Sequence, residues 1–452
     1  MCMWLSIDFV ATERPLRVMP VDLSPAGRPS AYPPRMRFWP WALTWFVCNV
    51  FVPVVVLLAW PKSEPSSGLR FWGLIIGVPN GLFLVLLGFG RAGYEGLWYR
   101  SYWRNHHRDR WLAKKIGFAQ RPLYVLGAGY CLPLGGASLS DVLIGKRSLM
   151  QVQAPRHGSG KVLCNRFEDN DPLLDDLSND PPLDASFMPD EEETPTDNAA
   201  VPKKADPVVQ MIRVALEPLA GSIQALTRYE RAYWPQVRVL TESEVANMRL
   251  TQVRAAMHLA ALPLLEVRAV PAADGLLVAD VWLDTHESRP LLVIAAMWYD
   301  DDIDEGLAEG CVAALLDAGC FELPQEVSRK AALHRPVAGD SAEPEYGFAN
   351  AAIWGKADAA SVTRAWITRP VENCDRALNA AGFVIAAKDA AQSRLDRIVG
   401  DMRAANGLLA IAAAIESGAS DGPQLVVDGS QSAILHVLPQ DQTASTHVDI
   451  QK

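Results

Sequence analysis

Cysteine, histidine and paired carboxylates are the side chains that most often do chemistry, and in this chain they are scattered. The seven cysteines (Cys2, Cys48, Cys131, Cys164, Cys311, Cys320 and Cys374) include no CxxC pair. Neither a zinc ribbon nor a disulfide scaffold is indicated. Cys311, Cys320 and Cys374 are nucleophiles by type, but no histidine stands beside one in sequence to act as base. Cys311, in apolar surroundings, reads as core packing. His258, His334 and His436 show no ligand spacing. His106 and His107 are adjacent, and on a helix their side chains diverge by about 100°, so they cannot share one ion. HGSGK (157–161) has the end of a phosphate loop, but Pro155 stands where the first glycine is needed and Val162 where a hydroxyl should meet magnesium. WYDDDIDEG (298–306) is acidic enough for calcium. Counted from Asp300, however, position six is Glu305 rather than glycine and position twelve is Cys311 rather than glutamate. The acidic run is read instead as the first turn of a helix over 304–317, where carboxylates complement the macrodipole. These residues yield no catalytic, metal or cofactor-binding assignment, and no cofactor is expected.

The elements around them are more informative. The chain has 452 residues, half of them hydrophobic, and a net charge of −10; the first 120 residues are nonetheless net basic and the rest net acidic. Residues 38–60 (FWPWALTWFVCNVFVPVVVLLAW) and 71–90 (FWGLIIGVPNGLFLVLLGFG) carry no formal charge. Each is long enough as a helix to cross a hydrocarbon core of about 30 Å. Pro53 and Pro79-Asn80-Gly81 should bend these spans, and Trp39, Trp41, Trp45, Trp60 and Trp72 lie mostly towards their ends, where indoles favour the interface. Cations cluster before the first span (Arg14, Arg17, Arg28, Arg35, Arg37) and after the second (Arg91 to Lys115), whereas the loop between has only Lys62 and Arg70. The positive-inside rule then puts both termini on the cytoplasmic side of a bacterial-type inner membrane, as a multi-pass protein with two spans.

Residues 91–116 form a proline-free basic segment. Arg100, Arg104 and Arg108 recur every four residues and stack on one helical face, and Tyr94, Trp98 and Tyr102 form a second stripe. Trp98, Arg100, Trp103, Arg104, Arg108, Lys114 and Lys115 are expected to contact an anionic leaflet, each cation contributing up to about 1 kcal/mol. A plain helical extension packed on the soluble part is the second reading and nucleic-acid binding the third; no nucleic acid is expected.

The domain plan is a cytoplasmic tail (1–37), a transmembrane hairpin (38–90), a basic juxtamembrane helix (91–120), a cytoplasmic α/β domain (121–440) and a flexible tail (441–452). Within the α/β domain, residues 165–206 are dense in proline and acid and are expected to be a disordered insertion. After it, residues 207–226 and 242–262 show helical periodicity. VRVL (237–240), LLEVRAV (264–270) and LLVADVWL (276–283) read as strands, the last two around an Asp-Gly turn. PLLVIAAMW (290–298) is an apolar run of the kind a central strand covered on both faces requires. Residues 400–418 read as an Ala-rich helix and 423–439 as a closing hairpin.

Several of these segments together resemble the thiolase-like superfamily, and ketoacyl synthases in particular. LYVLGAGYCLPLGG (123–136) resembles its first strand and turn, and SDVLIGKRSL (140–149) the helix and loop after it. AEGCVAALL (308–316) resembles its mid-chain helix, GDMRAANGLLAIAAAIESG its late Ala-rich helix, and VVDGSQSAILHVLP its last hairpin. The resemblance implies a nucleophilic cysteine at the start of a buried helix ahead of the central strand, and two later histidines. This sequence departs from both. No cysteine lies between Cys164 and Cys311, Gly400-Asp401 stands where a glycine-histidine pair is implied, and only Trp354, Gly355 and Lys356 stand near the place of the other histidine motif. An aspartate cannot replace a neutral imidazole as donor to an oxyanion at pH 7.

The expectation is therefore a membrane-anchored, non-catalytic scaffold or adaptor with a thiolase-like α/β domain, a pseudoenzyme. The lipid bilayer and an unidentified protein would be its partners, and the chain could form a homo-oligomer. Residues 38–120 give it an anchor layout similar to that of accessory proteins of type VI secretion clusters. The alternative is a membrane-bound acyltransferase handling acyl thioesters through a relocated nucleophile, Cys131 or Cys311.

Overall fold

The structure, a computed structural model, describes residues 23–61, 65, 67–157, 160–168, 171, 173, 206–285, 287–300 and 303–439. Most of the acidic segment 165–206 and the tail 441–452 lie outside the described residues. The chain divides at Gly117 into two units.

The first unit is a pair of apolar helices, α1 (Phe38–Ala59) and α2 (Leu69–Ala119). Almost nothing of either apolar stretch is buried within the chain. The helices touch along their length. The Trp41 ring packs where a side chain on Gly90 would sit, and at the connecting end Trp60 meets Phe71 edge-on with ring centres 5.1 Å apart. Gly73–Gly77 forms a π-turn just before Pro79, a common way for a helix to absorb the missing N–H of a proline.

The body is built on one eleven-stranded sheet. Its strands are β1 (Leu123–Cys131), β4 (Gln236–Thr241), β5 (Glu266–Pro271), β6 (Leu291–Met297), β7 (Gly310–Asp317), β8 (Ala331–Leu333), β9 (Val337–Ala338), β10 (Arg364–Thr368), β11 (Gln392–Arg394), β12 (Pro423–Asp428) and β13 (Gln431–Val437). A small separate hairpin pairs β2 (Gln151–Gln153) with β3 (Val162–Cys164). The order β5-β4-β6-β7-β1 is followed, across the antiparallel β1–β8 pair, by β8-β13-β12-β10-β11, with β9 pairing on β13. Each half has the same pattern: the outer three strands are mutually parallel, and the next two add antiparallel. The body is thus a duplicated α/β unit.

Strand alternation sorts the core. Leu291, Val293, Ala295, Val312, Ala314 and Leu316 face an inner cluster shared with the second half-sheet, and Leu292, Ile294, Cys311, Ala313 and Leu315 face an outer one. The inner cluster encloses helices α6 (Leu277–Asp284) and α10 (Asn406–Glu416). The outer faces are covered by α4 (Pro207–Thr227) and α5 (Ala246–Leu259) on one half, and by α7 (Pro344–Trp354) and α8 (Cys374–Ala380) on the other. The result is five layers, α/β/α/β/α. Residues Asn406–Ala414 of α10 are all buried, which is why its sequence is apolar and small all round. The glycines of β1 serve the same close packing: the Ala215 carbonyl of α4 lies where a side chain on Gly129 would be.

Three expectations need correction. LLVADVWL (276–283) is a helix, α6, not a strand. Residues 304–317, including AEGCVAALL, do not form a helix: Gly310–Asp317 is the fully buried strand β7. The described residues of the acidic run before it, 298–300 and 303–306, are consequently not a helical turn. In both places local pattern misled for one reason. A strand covered on both faces and a helix enclosed in a middle layer are each apolar on every side, so periodicity cannot separate them. The first strand, the helix α3 (Leu139–Gly145), the late Ala-rich helix and the closing hairpin stand where the thiolase-like resemblance implied them.

Candidate functional site: an apolar helix pair and a closed cleft

Two regions hold the residues that could act. In the first unit, both helices are long and apolar enough to cross a membrane. Aromatic side chains mark both ends of the pair. Trp39, Trp41, Tyr94 and Trp98 stand at one end, and Trp60, Phe71 and Trp72 at the other. The helical rise from Trp41 to Trp60 is about 29 Å, close to a hydrocarbon thickness of about 30 Å. Beyond residue 90, α2 continues unbroken to Ala119. Trp98, Arg100, Trp103, Arg104, Arg108, Lys114 and Lys115 are therefore spread along about 26 Å of one rod. Trp98, Tyr102 and His106 stack in succession, with centres 5.4 and 5.9 Å apart.

A strap from the N-terminal side lies on this face. Ser30 N–H donates to Asn105 Oδ1 (2.7 Å), Asn105 Nδ2 donates to the Ser30 carbonyl (3.0 Å), and the Ser101 hydroxyl donates to the Ala31 carbonyl (3.0 Å). Arg108 donates to the Gly27 carbonyl (3.0 Å) and pairs with Asp109 (3.1 Å), so protein groups already engage it. The strap and the extension of α2 leave the helix pair at the same end.

In the body, the N-terminal ends of α6 and α10 meet: Leu276 packs where a side chain on Gly407 would sit. The turn before α6 is where the resemblance implied a nucleophile. It carries Gly275, at φ +45° and ψ −120°, a backbone shape that strains any residue with a side chain. Gln431, first residue of β13, closes this turn. Its Oε1 accepts from Leu276 N–H (2.8 Å) and its Nε2 donates to the Ala273 carbonyl (2.9 Å). A side chain on Gly275 would begin 2.9 Å from Gln431 Oε1.

Before α10, Asp401 Oδ1 accepts from Arg403 N–H (2.7 Å) and Asn406 Nδ2 (2.6 Å). Arg369, in the loop after β10, lies 3.9 Å from Asp401 and donates to Asp428 Oδ1 through Nε (3.0 Å) and a terminal nitrogen (2.7 Å). Thr368 adds its hydroxyl to the same oxygen (3.2 Å). Asp428 is almost fully buried, and burial holds its carboxyl above the usual range against the opposing pull of Arg369. Arg403 reaches Asp304 (3.4 Å) and lies near the Tyr299 ring. Arg369 and Arg403 both have positive φ (45° and 48°), an uncommon cost of about 1 kcal/mol or more each. Sequence reasoning missed Arg369. It looked instead at Trp354, Gly355 and Lys356, which lie at the end of α7 in an outer layer. A duplicated sheet would have pointed to the loop after β10, but duplication is visible only in the pairing.

The remaining candidates are placed by packing. Cys131 and Cys311 face each other across β1 and β7. Burial pushes the Cys131 thiol up to about 12, with Asp171 adding to it, and pushes Cys311 up as well. Both are poor nucleophiles. Cys374 is likewise raised by burial, to about 11. His334 and His436 meet edge-on on the outer face of β8 and β13, centres 5.0 Å apart. Among the described residues no group of three or more potential ligands is placed to hold a metal. The acidic loop is held by buried Glu309, which pairs with Arg156 and accepts from Tyr299 N–H (3.2 Å) and Phe167 N–H (3.1 Å), while Arg156 stacks 3.7 Å over Trp298.

No protein-family profile matches the chain, and neither does any curated protein. Among solved structures it is similar to the ishigamide ketosynthase/chain length factor (16% identity over 70% of this chain and 99% of that one, TM-score 0.43). It is also similar to the 3-oxoacyl-(acyl carrier protein) synthase III of Pseudomonas aeruginosa (13%, 71% and 99%, TM-score 0.38). A third is the ketosynthase from module 6 of the bacillaene synthase of Bacillus subtilis 168 (10%, 70% and 72%, TM-score 0.46). Likeness at these identities concerns fold alone. The description of the body as a duplicated α/β fold in five layers rests on its own strand pairing and buried helices.

Proposed function

We propose that this chain is a membrane-anchored, non-catalytic scaffold: a thiolase-like body held at a bilayer by the α1–α2 hairpin. The observation that carries the reading is the content of the closed cleft. Gly275 stands at the nucleophile turn, Gln431 fills the space beside it, and Asp401, Arg369 and Asp428 are paired with one another. No described histidine lies there: His157 follows β2, His258 is on α5, and His334 and His436 are on an outer face. Acyl transfer needs a free nucleophile with a base beside it, and this arrangement supplies neither.

The anchor reading is supported by two exposed apolar helices with aromatic rings at both ends and cations beyond one end. Positive-inside orientation places both chain ends on the cytoplasmic side. The exposed cations nearest the apolar stretch, Arg100 and Arg104, with Trp98 and Trp103, face anionic lipid where the extension leaves the bilayer; Lys114 and Lys115 stand about 36 Å beyond residue 90 along the same rod, and Arg108 holds the strap. The body then presents its surface to a protein partner, and an accessory role in a type VI secretion cluster is the setting suggested by the layout.

The test is to incubate the detergent-solubilised full chain with an electrophilic acyl-thioester probe and map the adducts. No cysteine labelled above the level of the denatured protein is expected. Labelling of Cys131 or Cys311, abolished by the matching Cys→Ala change, would establish the acyltransferase alternative instead.

A further inference from the structure

At the centre of the helix pair lies a closed ring of hydrogen bonds that charge counting overlooks. Trp45 Nε1 donates to Asn80 Oδ1 (3.0 Å), Asn80 Nδ2 donates to Asn49 Oδ1 (3.2 Å), and Asn49 Nδ2 donates back to the Trp45 carbonyl (3.0 Å). The second N–H of Asn80 goes to the Ile76 carbonyl (2.8 Å), in the stretch where the π-turn and Pro79 disturb the backbone ladder. Asn49 lies midway along residues 38–60 and Asn80 midway along 71–90, so both amides stand at one level, at the centre of the two spans. Beside them Cys48 and Pro79 are buried between the helices, while Leu43, Phe51, Leu58, Leu84 and Phe89 on the outer faces are exposed.

The physical consequence depends on the solvent. In water, three exposed polar side chains would gain little by pairing, because water competes. In hydrocarbon an unmade amide hydrogen bond has no substitute. A polar group at a bilayer midplane is therefore retained only when satisfied, and then it fixes which helix it faces and in what register.

We infer that the Trp45–Asn80–Asn49 ring is the register lock of the hairpin: it satisfies the two side-chain amides of the spans on each other and on Trp45, and so presents no unpaired amide towards lipid. This rests on the membrane reading above. It also implies that breaking one member does not simply subtract a bond. It strands the others in hydrocarbon, where they spread the helices or seek a second copy of the chain.

The test uses the full chain in phospholipid vesicles, with spin labels on bioorthogonal residues at the exposed positions Leu43 and Phe89. Asn80→Leu and Asn49→Leu should each lower the ratio of closed to splayed hairpin roughly 3- to 15-fold, the range of measured hydrogen bonds between membrane helices. The triple variant Trp45→Phe, Asn49→Leu, Asn80→Leu, which leaves no side chain stranded, should close again to within about twofold of the wild type but with a broader spread of label distances, because nothing polar then fixes the register. Single variants with unchanged distances, or a triple variant as splayed as the worse single one, would overturn the lock. Alkaline carbonate extraction separates this from the anchor reading. If every form stays in the vesicle pellet, the distances judge the lock alone; if the wild type is released, the membrane reading fails and the lock with it.

Discussion

Helices α1 and α10 are both apolar on every side, and they have opposite fates. The first is 22 residues long and fully buries only Cys48; the second is 11 residues long and buries nine, Asn406 to Ala414. Their residue types differ in size. α1 is rich in Trp, Phe, Val and Leu, bulky side chains of the kind that suit a loose and deformable solvent. Between Asn406 and Glu416 at its ends, α10 is Gly, Ala, Leu and Ile, because two half-sheets and α6 press on it at fixed distance. Apolarity thus says only that a helix avoids water. Length and side-chain volume separate the two: about 33 Å of helix, enough to cross a hydrocarbon core of about 30 Å, against about 16 Å of helix inside a protein layer.

The comparison can be broken by a charge. Ala413→Asp places a carboxylate with no partner in the middle layer, and should destabilise the body by more than about 4 kcal/mol, leaving it unfolded or insoluble while the hairpin stays in the membrane. Val55→Asp on the exposed face of α1 should cost about 2.5–3.5 kcal/mol of insertion and leave the body folded. Circular dichroism of the solubilised chain and carbonate extraction read the two effects separately. If Ala413→Asp folds normally, α10 is not the enclosed helix described.

The closed cleft allows the next test. Arg369→Ala leaves Asp428 buried without its cation and should lower stability by about 3 kcal/mol or more. Adding Asp428→Asn should recover most of that loss, because the stranded charge goes too. Denaturant midpoints at pH 7 measure both, and equal losses in the two variants would mean that the pair does not matter.

Titration should distinguish the outer face from the middle layer. Burial, helped by the charge of His436, lowers His334 from 6.5 to about 4. Its contribution is therefore full above about pH 6.5 and is lost as pH falls towards 4, because the unfolded chain takes up the proton first. Asp280, on α6, is raised by burial to about 6 despite its hydrogen bond to buried Arg335 (2.7 Å). Its contribution is present below about pH 4 and lost as pH rises to 6. The two slopes oppose each other over the same window. His334→Gln should remove one of them, so that the wild type loses stability relative to this variant by a few kcal/mol between pH 6.5 and 4. A difference independent of pH would count against the burial of His334.

The smallest effect is at the membrane surface. Replacing Arg100 or Arg104 with Gln should weaken the preference for anionic over neutral lipid by up to about 1 kcal/mol each, read as bound-lipid composition after mild detergent extraction. Arg108→Gln should instead loosen the strap at Gly27, seen as faster amide exchange at residues 27–32.

How much of this was legible differs by region, for physical reasons. The helix pair could be read residue by residue, since a helix long and apolar enough to cross a membrane must be apolar at every position along the stretch. Its polar ring could not, because Asn49 and Asn80 carry no charge and only the pairing of the helices shows that they meet. In the body the first strand, the Ala-rich helix and the closing hairpin were legible as local patterns. The identities of α6 and β7 were not, since enclosure on all sides erases the period that separates a helix from a strand. The missing cysteine and the Gly400-Asp401 pair were legible as departures.

What the sequence determined alone was the presence of two helices long and apolar enough to cross a membrane, the asymmetry of the cations around them and the absence of a nucleophile from its implied place, because each follows from composition in a short stretch. Only the tertiary structure decided what filled the cleft. Gln431, Arg369 and Asp428 lie up to 158 positions from the turns they close, and a duplicated sheet, not local preference, brings them there.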